Sequence, residues 1–332
     1  MKVLFLTKSE YNEFRKENSS TILKVTNFSK NWEEDFDDQV LISQISLPAL
    51  TDIDHEVWIS DKTVFNTTED SIEFSTDRDK NFLRIEIHES ESMNLEQIGF
   101  IVYEKIFELA KQKDLGNFVR AWNYIPNILS GDGNLERYRQ FNVGRWNAWE
   151  QFGPHFENGL PKRPAMTGIG SFGGPVVVEC FFSKFPITEL ENPRQTQFVH
   201  YSRKWGPKPP ISARGTLHFT PHATELYIAG TASLIGEEVA HEGDIVLQTK
   251  ETLKNIEVLI GNENLESYQQ DFGFSLGDVE GIRVYVKNRN DLQKIQEVIN
   301  EVWSDKSIMY VNDDICRPGF LLEIEGFVRK ST

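Results

Sequence analysis

The chain has 332 residues, enough for two domains of ordinary size with an ample core. Its formal net charge of −16 argues against nucleic acid and membrane as partners, because a surface that binds either is basic. No apolar run approaches the ~20 residues of a membrane span, and two cysteines are too few for a disulfide framework, so we expect a cytoplasmic protein.

The first 110 residues give few clear elements. Residues 1–6 predict a strand rather than a secretory segment, because only four consecutive apolar residues follow Lys2. A short strand is expected at 83–88. Acidic, polar loops are expected at 33–38, 66–70 and 77–79.

Two helices are predicted around a strand at 119–126. The first begins after the N-cap Asn94 and ends at Gln112, with its apolar residues on one stripe. The second follows a turn at 130–133 and begins at Asn134. Residues 120–149 hold four arginines interleaved with six aromatic residues, which is typical of a pocket for a small, unsaturated carboxylate.

The second helix has an arginine within its apolar stripe. Spacings of three and four residues put four side chains on one face, those of Tyr138, Phe141, Arg145 and Trp149. An arginine is rare in such a place unless it is paired with an anion. Arg145 is therefore a candidate for binding an anionic ligand. A structural ion pair with an aspartate or glutamate elsewhere is the alternative.

From residue 176 the sequence has the pattern of a mixed sheet with helices. A continuous apolar run predicts a buried strand at 176–182. Further strands are expected at 196–201, 216–220, 226–230, 281–287, 308–315 and 321–328, and helices at 244–260 and 290–303. Helices grouped against a mixed sheet make the fold class α+β. Both halves pair helices with sheet, which leaves an internal duplication open.

Four motifs in the second half resemble the RidA/YjgF family of small α+β proteins. They are Ile-Ala-Gly-Thr-Ala-Ser at 228–233, His-Glu-Gly-Asp-Ile-Val-Leu-Gln-Thr at 241–249, Arg-Val-Tyr-Val at 283–286 and Leu-Glu-Ile-Glu-Gly-Phe at 322–327. The resemblance implies a RidA/YjgF-like (chorismate-mutase-like) mixed sheet with helices on one face. RidA proteins use an arginine on the strand before the last to hold a 2-imino acid. Here that strand, at 308–315, contains no arginine.

The whole chain resembles a narrower family, the chorismatases of the FkbO/Hyg5 type. The motifs include Arg-Ala-Trp-Asn-Tyr-Ile-Pro at 120–126, Glu-Arg-Tyr-Arg-Gln-Phe-Asn-Val-Gly-Arg at 136–145, Pro-Ala-Met-Thr-Gly-Ile-Gly at 164–170 and Asn-Pro-Arg-Gln at 192–195. This implies a divergent α+β N-terminal domain at 1–190 that contributes arginines and aromatic residues to the site. A RidA/YjgF-like domain at 191–332 would carry the catalytic glutamate.

Chorismatases split chorismate into pyruvate and a cyclic carboxylic acid, so the resemblance implies chorismate as the small-molecule substrate, with no metal and no cofactor. Cleaving an enol ether begins with protonation of its methylene carbon by an acid that stays protonated near neutral pH. The resemblance places this acid at Glu323. Glu323 and Glu325 share one face of the last predicted strand, and two carboxylates so close disfavour joint ionisation. Two solvated glutamates are the alternative.

The resemblance also implies which residues select the product. Cys316 resembles the cysteine of the branch that makes 3-hydroxybenzoate, where it helps as a base after an arene-oxide-like intermediate. Gly230 fits the same branch, because a larger residue would crowd the ring. The alternative for Cys316 is a small buried hydrophobe. The alternative products are 4-hydroxybenzoate and a dihydroxycyclohexadiene carboxylate.

Two substrate carboxylates call for several cations and hydroxyls. The predicted substrate-binding residues are Arg145, Tyr201, Arg214, Gly230, Thr231 and Arg317. The remaining arginines of the aromatic segment are expected to hold loops against acidic neighbours; they are Arg120, Arg137 and Arg139.

Two other functions stay open on the same scaffold, a RidA-like imine deaminase and a non-catalytic binding module. His218 and His222 do not predict a metal site, because Pro221 breaks the helix that this spacing would need. RidA proteins are trimers, and an N-terminal region that covers the trimer interface would leave a monomer. Monomer and trimer are therefore both expected alternatives.

Overall fold

The structure is a computed structural model that describes residues 1–29, 40–69, 71–131, 135–154 and 162–331. The loop predicted at 33–38 and the helix start predicted at Asn134 lie outside these residues. Within them, no helix has both the length and the apolar character needed to cross a membrane.

The chain begins with a four-stranded sheet in the order β1-β4-β2-β3. Its elements are β1 Lys2–Thr7, α1 Lys8–Asn18, β2 Ile22–Phe28, β3 Ile42–Ile45 and β4 Ile53–Ile59. The strand predicted at the N-terminus is confirmed. A capping box explains where α1 begins, because Thr7 and Glu10 each bond the other's backbone N–H.

A six-stranded sheet follows in the order β5-β6-β7-β10-β8-β9. Its elements are β5 Phe65–Glu69, β6 Ile72–Thr76, β7 Lys80–Ile87, α2 Leu95–Gln112, β8 Asn117–Pro126, α3 Arg137–Phe152, β9 Ala165–Ser171 and β10 Val176–Ser183. Strands β8 and β9 are parallel. The predicted cap of α2 is confirmed, because Asn94 and Gln97 form a capping box.

A second six-stranded sheet has the order β11-β12-β13-β18-β16-β17. Its elements are β11 Ile187–Leu190, β12 Gly215–Thr220, β13 Ala223–Thr231, α4 Ile245–Ile260, α5 Asn262–Glu266, β16 Val279–Val286, α6 Leu292–Trp303, β17 Ile308–Asn312 and β18 Leu322–Ser331. A small hairpin, β14 Leu234–Ile235 and β15 Glu238–Val239, leaves β13. The domain boundary at residue 190 stays a prediction; β11, which lies before it, pairs with β12.

The two six-stranded sheets have the same connectivity. Each has three antiparallel strands, then a helix, a strand, a helix and two more strands, and the last strand inserts between the third and the fourth. In each sheet the fourth and fifth strands are parallel. The shared topology favours the internal duplication that the sequence left open.

Three predicted elements are wrong. The strand expected at 196–201 is irregular apart from the 3₁₀ turn Phe198–His200, because this segment leaves the sheet and covers a cavity. The segment 66–70, expected to be a loop, is largely strand β5. Most residues of this strand are polar, so its sequence shows no alternation of apolar and polar residues. The strand expected at 308–315 ends at Asn312, where the side-chain amide bonds the carbonyls of Val286 and Lys287.

Helices cover one face of each six-stranded sheet. Helices α2 and α3 pack on the first sheet, and α4 and α6 pack on the second. The opposite faces meet in a central core that also includes the four-stranded sheet. Apolar residues from all three sheets fill it, among them Leu23, Trp58, Phe181, Tyr227, Met309 and Phe327. A cavity opens beside this core, where β9 lies next to β13.

Candidate active site

A cavity lies between the two six-stranded sheets. Its empty space, including the open mouth, is about 570 Å³. The walls come from α3, β9, β13, β18, the hairpin after β13, and the irregular segments 198–214 and 316–320. Both halves of the chain therefore contribute to one site.

Most of the predicted site residues line this cavity. They are Arg145, Tyr201, Arg214, Gly230, Cys316, Arg317 and Glu323. Thr231 is not part of the lining; its hydroxyl donates to the backbone carbonyl of Ala229 at 2.8 Å. The structure thus brings together residues that are up to 178 positions apart in the chain (145 to 323).

Glu323 is buried on β18, with 4% of its surface exposed. A β-bulge of β13 makes room for it, since Ala229 and Gly230 lie between the paired residues Ile228 and Thr231. A Cβ atom on Gly230 would lie 1.8 Å from Oε1 of Glu323, so the carboxyl rests directly on the glycine backbone. No described residue hydrogen-bonds this carboxyl.

Glu323 is a carboxylic acid that stays protonated near neutral pH. Burial raises its pKa, and the neighbouring Glu325 raises it further, to about 8, although Arg120 and Arg214 oppose the shift. A general acid needs this property. The alternative of solvated strand glutamates is wrong for both residues, because Glu323 and Glu325 are buried.

Arg145 is a buried cation without a carboxylate partner among the described residues. It is 2% exposed, and its Nη2 donates to the side-chain oxygen of Asn142 at 2.6 Å while Nη1 lies 3.5 Å from the sulfur of Met166. Its Nε has no hydrogen-bond partner. The alternative of a structural ion pair is therefore not supported, and the guanidinium is left for an anion in the cavity.

Arg214 and Arg317 share this property. Arg214 donates from Nη2 to the carbonyl of Thr196 at 2.7 Å and to the hydroxyl of Tyr201 at 2.9 Å. Arg317 donates to the carbonyl of Glu237 at 2.9 Å and lies 3.7 Å from the ring centre of Trp205. Neither forms an ion pair with a carboxylate in the part of the chain that the structure describes. Three guanidinium groups without a carboxylate partner among the described residues give the cavity a positively charged lining that suits an anion.

Cys316 is half-buried in the cavity wall, in contact with two of the hydrophobic cores. Burial raises the pKa of its thiol well above the ordinary value, and the charge of Glu323 acts in the same direction. Cys316 is therefore a neutral thiol in the free protein. A resting thiolate base is excluded by this environment.

The other arginines of the aromatic segment lie outside the cavity lining. Arg137 pairs with Glu89, as expected for an arginine that holds a loop, whereas Arg139 pairs with Glu136 at the start of its own helix. Arg120 departs from the expectation. It is fully buried and pairs with Glu325 at 2.8 Å, inside the central region between the sheets rather than at a loop.

Sequence reasoning missed several groups of the site. Tyr138 and Met166 line the cavity, and Phe198 packs on Arg214 with its ring centre 3.6 Å from the guanidinium carbon. Tyr138 was recognisable, because it shares the helix face of Arg145. Phe198 carried no sequence signal, since its role depends on Arg214, which meets it only in the folded chain.

The two histidines four positions apart do not face a common point. His218 is buried and bonds Glu225 at 3.1 Å and Ser183 at 2.8 Å, whereas His222 is exposed. Among the described residues there is no group of three side chains suited to hold a metal ion.

Comparisons with known proteins agree on one family. Residues 56–182 match the family model described as chorismatase FkbO/Hyg5-like, N-terminal. A 3-hydroxybenzoate synthase of Streptomyces hygroscopicus is 33% identical over 280 residues, 82% of this chain and 81% of the relative. A crystal structure of a chorismatase superposes with a TM-score of 0.89 at 27% identity, over 98% of each chain. A RutC family protein of Pyrococcus horikoshii is 33% identical over 110 residues, 32% of this chain and 79% of the relative.

Proposed function

The chain belongs to the chorismatase family of enzymes, and we propose that it cleaves chorismate into pyruvate and a hydroxybenzoate, with 3-hydroxybenzoate as the favoured product. The observation that carries the proposal is a buried, protonated carboxyl, Glu323, in a cavity with three arginines that lack carboxylate partners among the described residues. Chorismate is a dianion with an enol ether that needs a proton on carbon. The cavity offers both the charge and the acid.

The two substrate carboxylates have different candidate partners. Arg214 is close enough to Glu323 to influence the pKa of its carboxyl, so with Tyr201 it is suited to the enolpyruvyl carboxylate beside the methylene carbon. Arg145, fixed by Asn142 on α3, is left for the ring carboxylate. Bidentate guanidinium groups suit both.

The proton of Glu323 begins the reaction. Its transfer to the methylene carbon turns the enol ether into an oxocarbenium ion, which is a good leaving group. The bond between the ether oxygen and the ring then breaks, and pyruvate departs as a ketone that keeps this oxygen. The neighbouring ring hydroxyl bonds to the ring carbon left behind, and its proton returns to Glu323. Pyruvate and the arene-oxide-like intermediate together contain all atoms of chorismate.

The last step converts this intermediate into an aromatic phenol. A carbon–oxygen bond opens, the ring loses a proton from carbon, and the oxygen gains one. Cys316 enters this step as a neutral thiol, because its pKa is raised. We therefore assign it to proton transfer in concert with Glu323 rather than to attack as a thiolate. The relative named 3-hydroxybenzoate synthase supports the same ring product.

One incubation tests the proposal. Purified protein with chorismate should release pyruvate, measured by coupled oxidation of NADH, together with 3-hydroxybenzoate identified by chromatography and NMR. Glu323→Gln should keep the fold but lose turnover. Glu280→Gln is the matched control, because Glu280 is an exposed glutamate on the adjacent strand β16.

Each other outcome has a definite meaning. Absence of pyruvate above background would overturn chorismate cleavage. Pyruvate with the dihydroxycyclohexadiene carboxylate would keep the cleavage but replace the ring hydroxyl by water as the trapping group. Ammonia release from 2-iminobutanoate without any action on chorismate would support the imine deaminase instead.

A further inference from the structure

Glu325, two residues beyond the proposed acid, is held by four polar side chains. Arg120 donates to its Oε2 at 2.8 Å, and Thr167 donates to the same oxygen at 2.5 Å. Trp122 donates to Oε1 at 2.9 Å, and Arg283 lies 3.2 Å from that oxygen. Such a set of donors fits a carboxylate and not a carboxylic acid, because every contact places an N–H or O–H at an acceptor.

Glu325 belongs to a buried chain of charges that spans the three sheets. Arg283 also pairs with Glu56 of β4, and Lys24 of β2 lies 3.9 Å from Glu56 and 2.5 Å from Glu179 of β10. Burial raises the pKa of the Glu56 carboxyl, but Arg283 and Lys24 together lower it below its usual value. This buried chain of charges contains three carboxylates and three cations. The carboxylates are Glu179, Glu56 and Glu325, and the cations are Lys24, Arg283 and Arg120.

The charges of this buried chain balance without Glu323. A further carboxylate beside it would leave an uncompensated negative charge in a region of low polarity, which is costly. We propose that Glu325 is a positioning residue: fixed as a carboxylate by Arg120 and Arg283, it keeps the neighbouring Glu323 in its proton-bearing form until substrate binds. This inference rests on the proposed role of Glu323 as the acid.

Thr167 connects this arrangement to the floor of the site. Its hydroxyl oxygen accepts from the backbone N–H of Gly230 at 3.0 Å while the hydroxyl donates to Glu325. Gly230 in turn lies directly under the carboxyl of Glu323. The same contacts that fix Glu325 therefore also fix the backbone on which the acid rests.

The groups that face Glu323 from other elements do not replace Glu325 in this role. Burial raises the pKa of Cys316, Tyr138 and Tyr285, so these groups are neutral near pH 7, and it also raises the pKa of the Asp313 carboxyl well above its usual value. The surrounding guanidinium groups favour ionisation of Glu323; Arg120 and Arg214 act on its carboxyl, and Arg145 and Arg317 line the same cavity. Among the described groups around Glu323, Glu325 supplies the negative charge that opposes them.

The chain of charges also gives the four-stranded sheet a part in the site. Lys24 and Glu56 lie on β2 and β4 and are not part of the cavity lining, yet Glu56 is a partner of Arg283 and Lys24 is a partner of Glu56. Without Glu56, Arg283 would keep Glu325 as its buried counter-charge. The sheet thus supplies a second carboxylate partner for Arg283 and a lysine that partners this carboxylate, so that the charges of the buried chain balance.

Carboxyl NMR tests the inference without any substrate. Protein labelled with ¹³C at the glutamate carboxyl carbon should show Glu323 protonated and Glu325 ionised at pH 7, with each resonance assigned by its loss in Glu323→Gln or Glu325→Gln. In Glu325→Gln the titration midpoint of Glu323 should fall by roughly 1 pH unit or more. In Glu325→Asp, which keeps the charge, it should stay near the wild-type value.

Turnover provides the second readout. In Glu325→Gln, kcat/KM at pH 8 should fall roughly fivefold or more and recover towards acidic pH, with KM changed less than kcat, because fewer Glu323 side chains carry the proton. A loss of kcat that is the same at all pH values would overturn the inference and leave Glu325 a structural role. So would an unchanged Glu323 midpoint in Glu325→Gln.

Failure of this inference and failure of the proposed function are distinguishable. The NMR result needs no reaction with chorismate, so it can succeed or fail whatever the substrate is. If Glu325→Gln does not fold, the spectra of the wild type and of Glu325→Asp still show whether Glu323 or Glu325 carries the proton. Glu323 ionised beside a protonated Glu325 at pH 7 would overturn the inference outright.

Discussion

The absence of a side chain at Gly230 leaves the space in which the carboxyl of Glu323 lies. A Cβ atom at this position would lie 1.8 Å from Oε1 of Glu323 and 3.0 Å from the hydroxyl of Thr167. The sequence-based explanation was that a larger residue would crowd the substrate ring. In the structure a side chain at residue 230 would first displace the carboxyl of Glu323. The size of residue 230 therefore affects the position of the proposed acid.

We therefore expect Gly230→Ala to lower kcat by about tenfold or more, because a shift of 1 Å in a catalytic group is costly. The melting temperature should change little, since the displaced side chain borders a cavity. Gly277→Ala is the control, because its Cβ would meet only Ser275 at 3.6 Å. Wild-type kcat in Gly230→Ala would contradict the assignment of Glu323 as the acid in this position.

The rate of the reaction should depend on the protonation of Glu323. Because the protonated form is the active one, kcat/KM should be constant on the acidic side and decline above a midpoint near pH 8, the raised pKa of this carboxyl in the free protein. A rate that increases through pH 8 would instead indicate a group that acts as a base in the first irreversible step. Initial pyruvate release between pH 5 and pH 9 decides between them.

The free energy of unfolding should also depend on the protonation of Glu323, and the raised pKa of this carboxyl determines the direction of the change. The folded protein binds the Glu323 proton more tightly than the unfolded chain, so this group's contribution is complete below its unfolded pKa of about 4.5 and is lost as pH rises towards 8. Glu323→Gln removes the buried ionisation and should gain stability relative to wild type at pH 8, on the order of a few kcal/mol. At pH 5 the difference should be much smaller. Thermal denaturation at both pH values measures it.

At the scale of elements, the contact between α2 and α3 determines where Arg145 lies. The helices touch through glycines: a Cβ on Gly144 would lie 1.8 Å from the carbonyl oxygen of Glu96, and one on Gly99 would lie 2.5 Å from that of Phe141. Gly144 directly precedes Arg145. The close approach of the two backbones therefore sets the depth at which this guanidinium enters the cavity.

Gly144→Ala should push α3 away from α2. We expect a destabilisation of about 1–3 kcal/mol, typical of overpacking, and a several-fold rise in KM because Arg145 moves. Gln151→Ala on the exposed side of the same helix is the control. Denaturant unfolding gives the first quantity and steady-state kinetics the second. An unchanged KM in a destabilised variant would argue that Arg145 does not contact the substrate.

The elements that the sequence predicted well are amphipathic. Helix α2 begins at its predicted cap, α4 lies within the predicted range 244–260, and β10 is buried along its whole length as expected. The strands of the first 80 residues were mostly missed, because β2 and β4 carry Lys24 and Glu56 at buried positions and so lack an apolar pattern. These charges are tolerated only because their partners come from other sheets, and a single sequence does not reveal such pairs.

The same reason limits how much of the site was predictable. The sequence predicted those cavity residues that lie in a family motif or on the apolar stripe of a helix, among them Arg145 and Glu323. The partner of Arg120 was not, because Arg120 and Glu325 are separated by 205 positions and meet only in the folded chain. Glu325 was correctly placed on the face of Glu323, but its opposite protonation state follows from that long-range ion pair.

At the scale of the whole molecule, three sheets of one chain surround a single core. The face of the second six-stranded sheet opposite its helices is covered by the first six-stranded sheet and by the four-stranded sheet. Tyr227, Met309 and Phe327 on that face are buried. The resemblance to RidA proteins implied that this scaffold can form trimers, but here the chain's own sheets occupy the face on which a further copy of the second sheet would pack.

We therefore expect a monomer. Light scattering coupled to gel filtration should give the mass of one chain, 38.3 kDa, independent of concentration. Residues 184–332 expressed alone would expose the apolar face of the second sheet. This fragment should self-associate, because a large apolar surface exposed to water favours association. The same fragment lacks Arg145 and Met166 and should release no pyruvate from chorismate. A full-length protein with three times the mass of one chain would contradict this prediction and show that another surface mediates assembly.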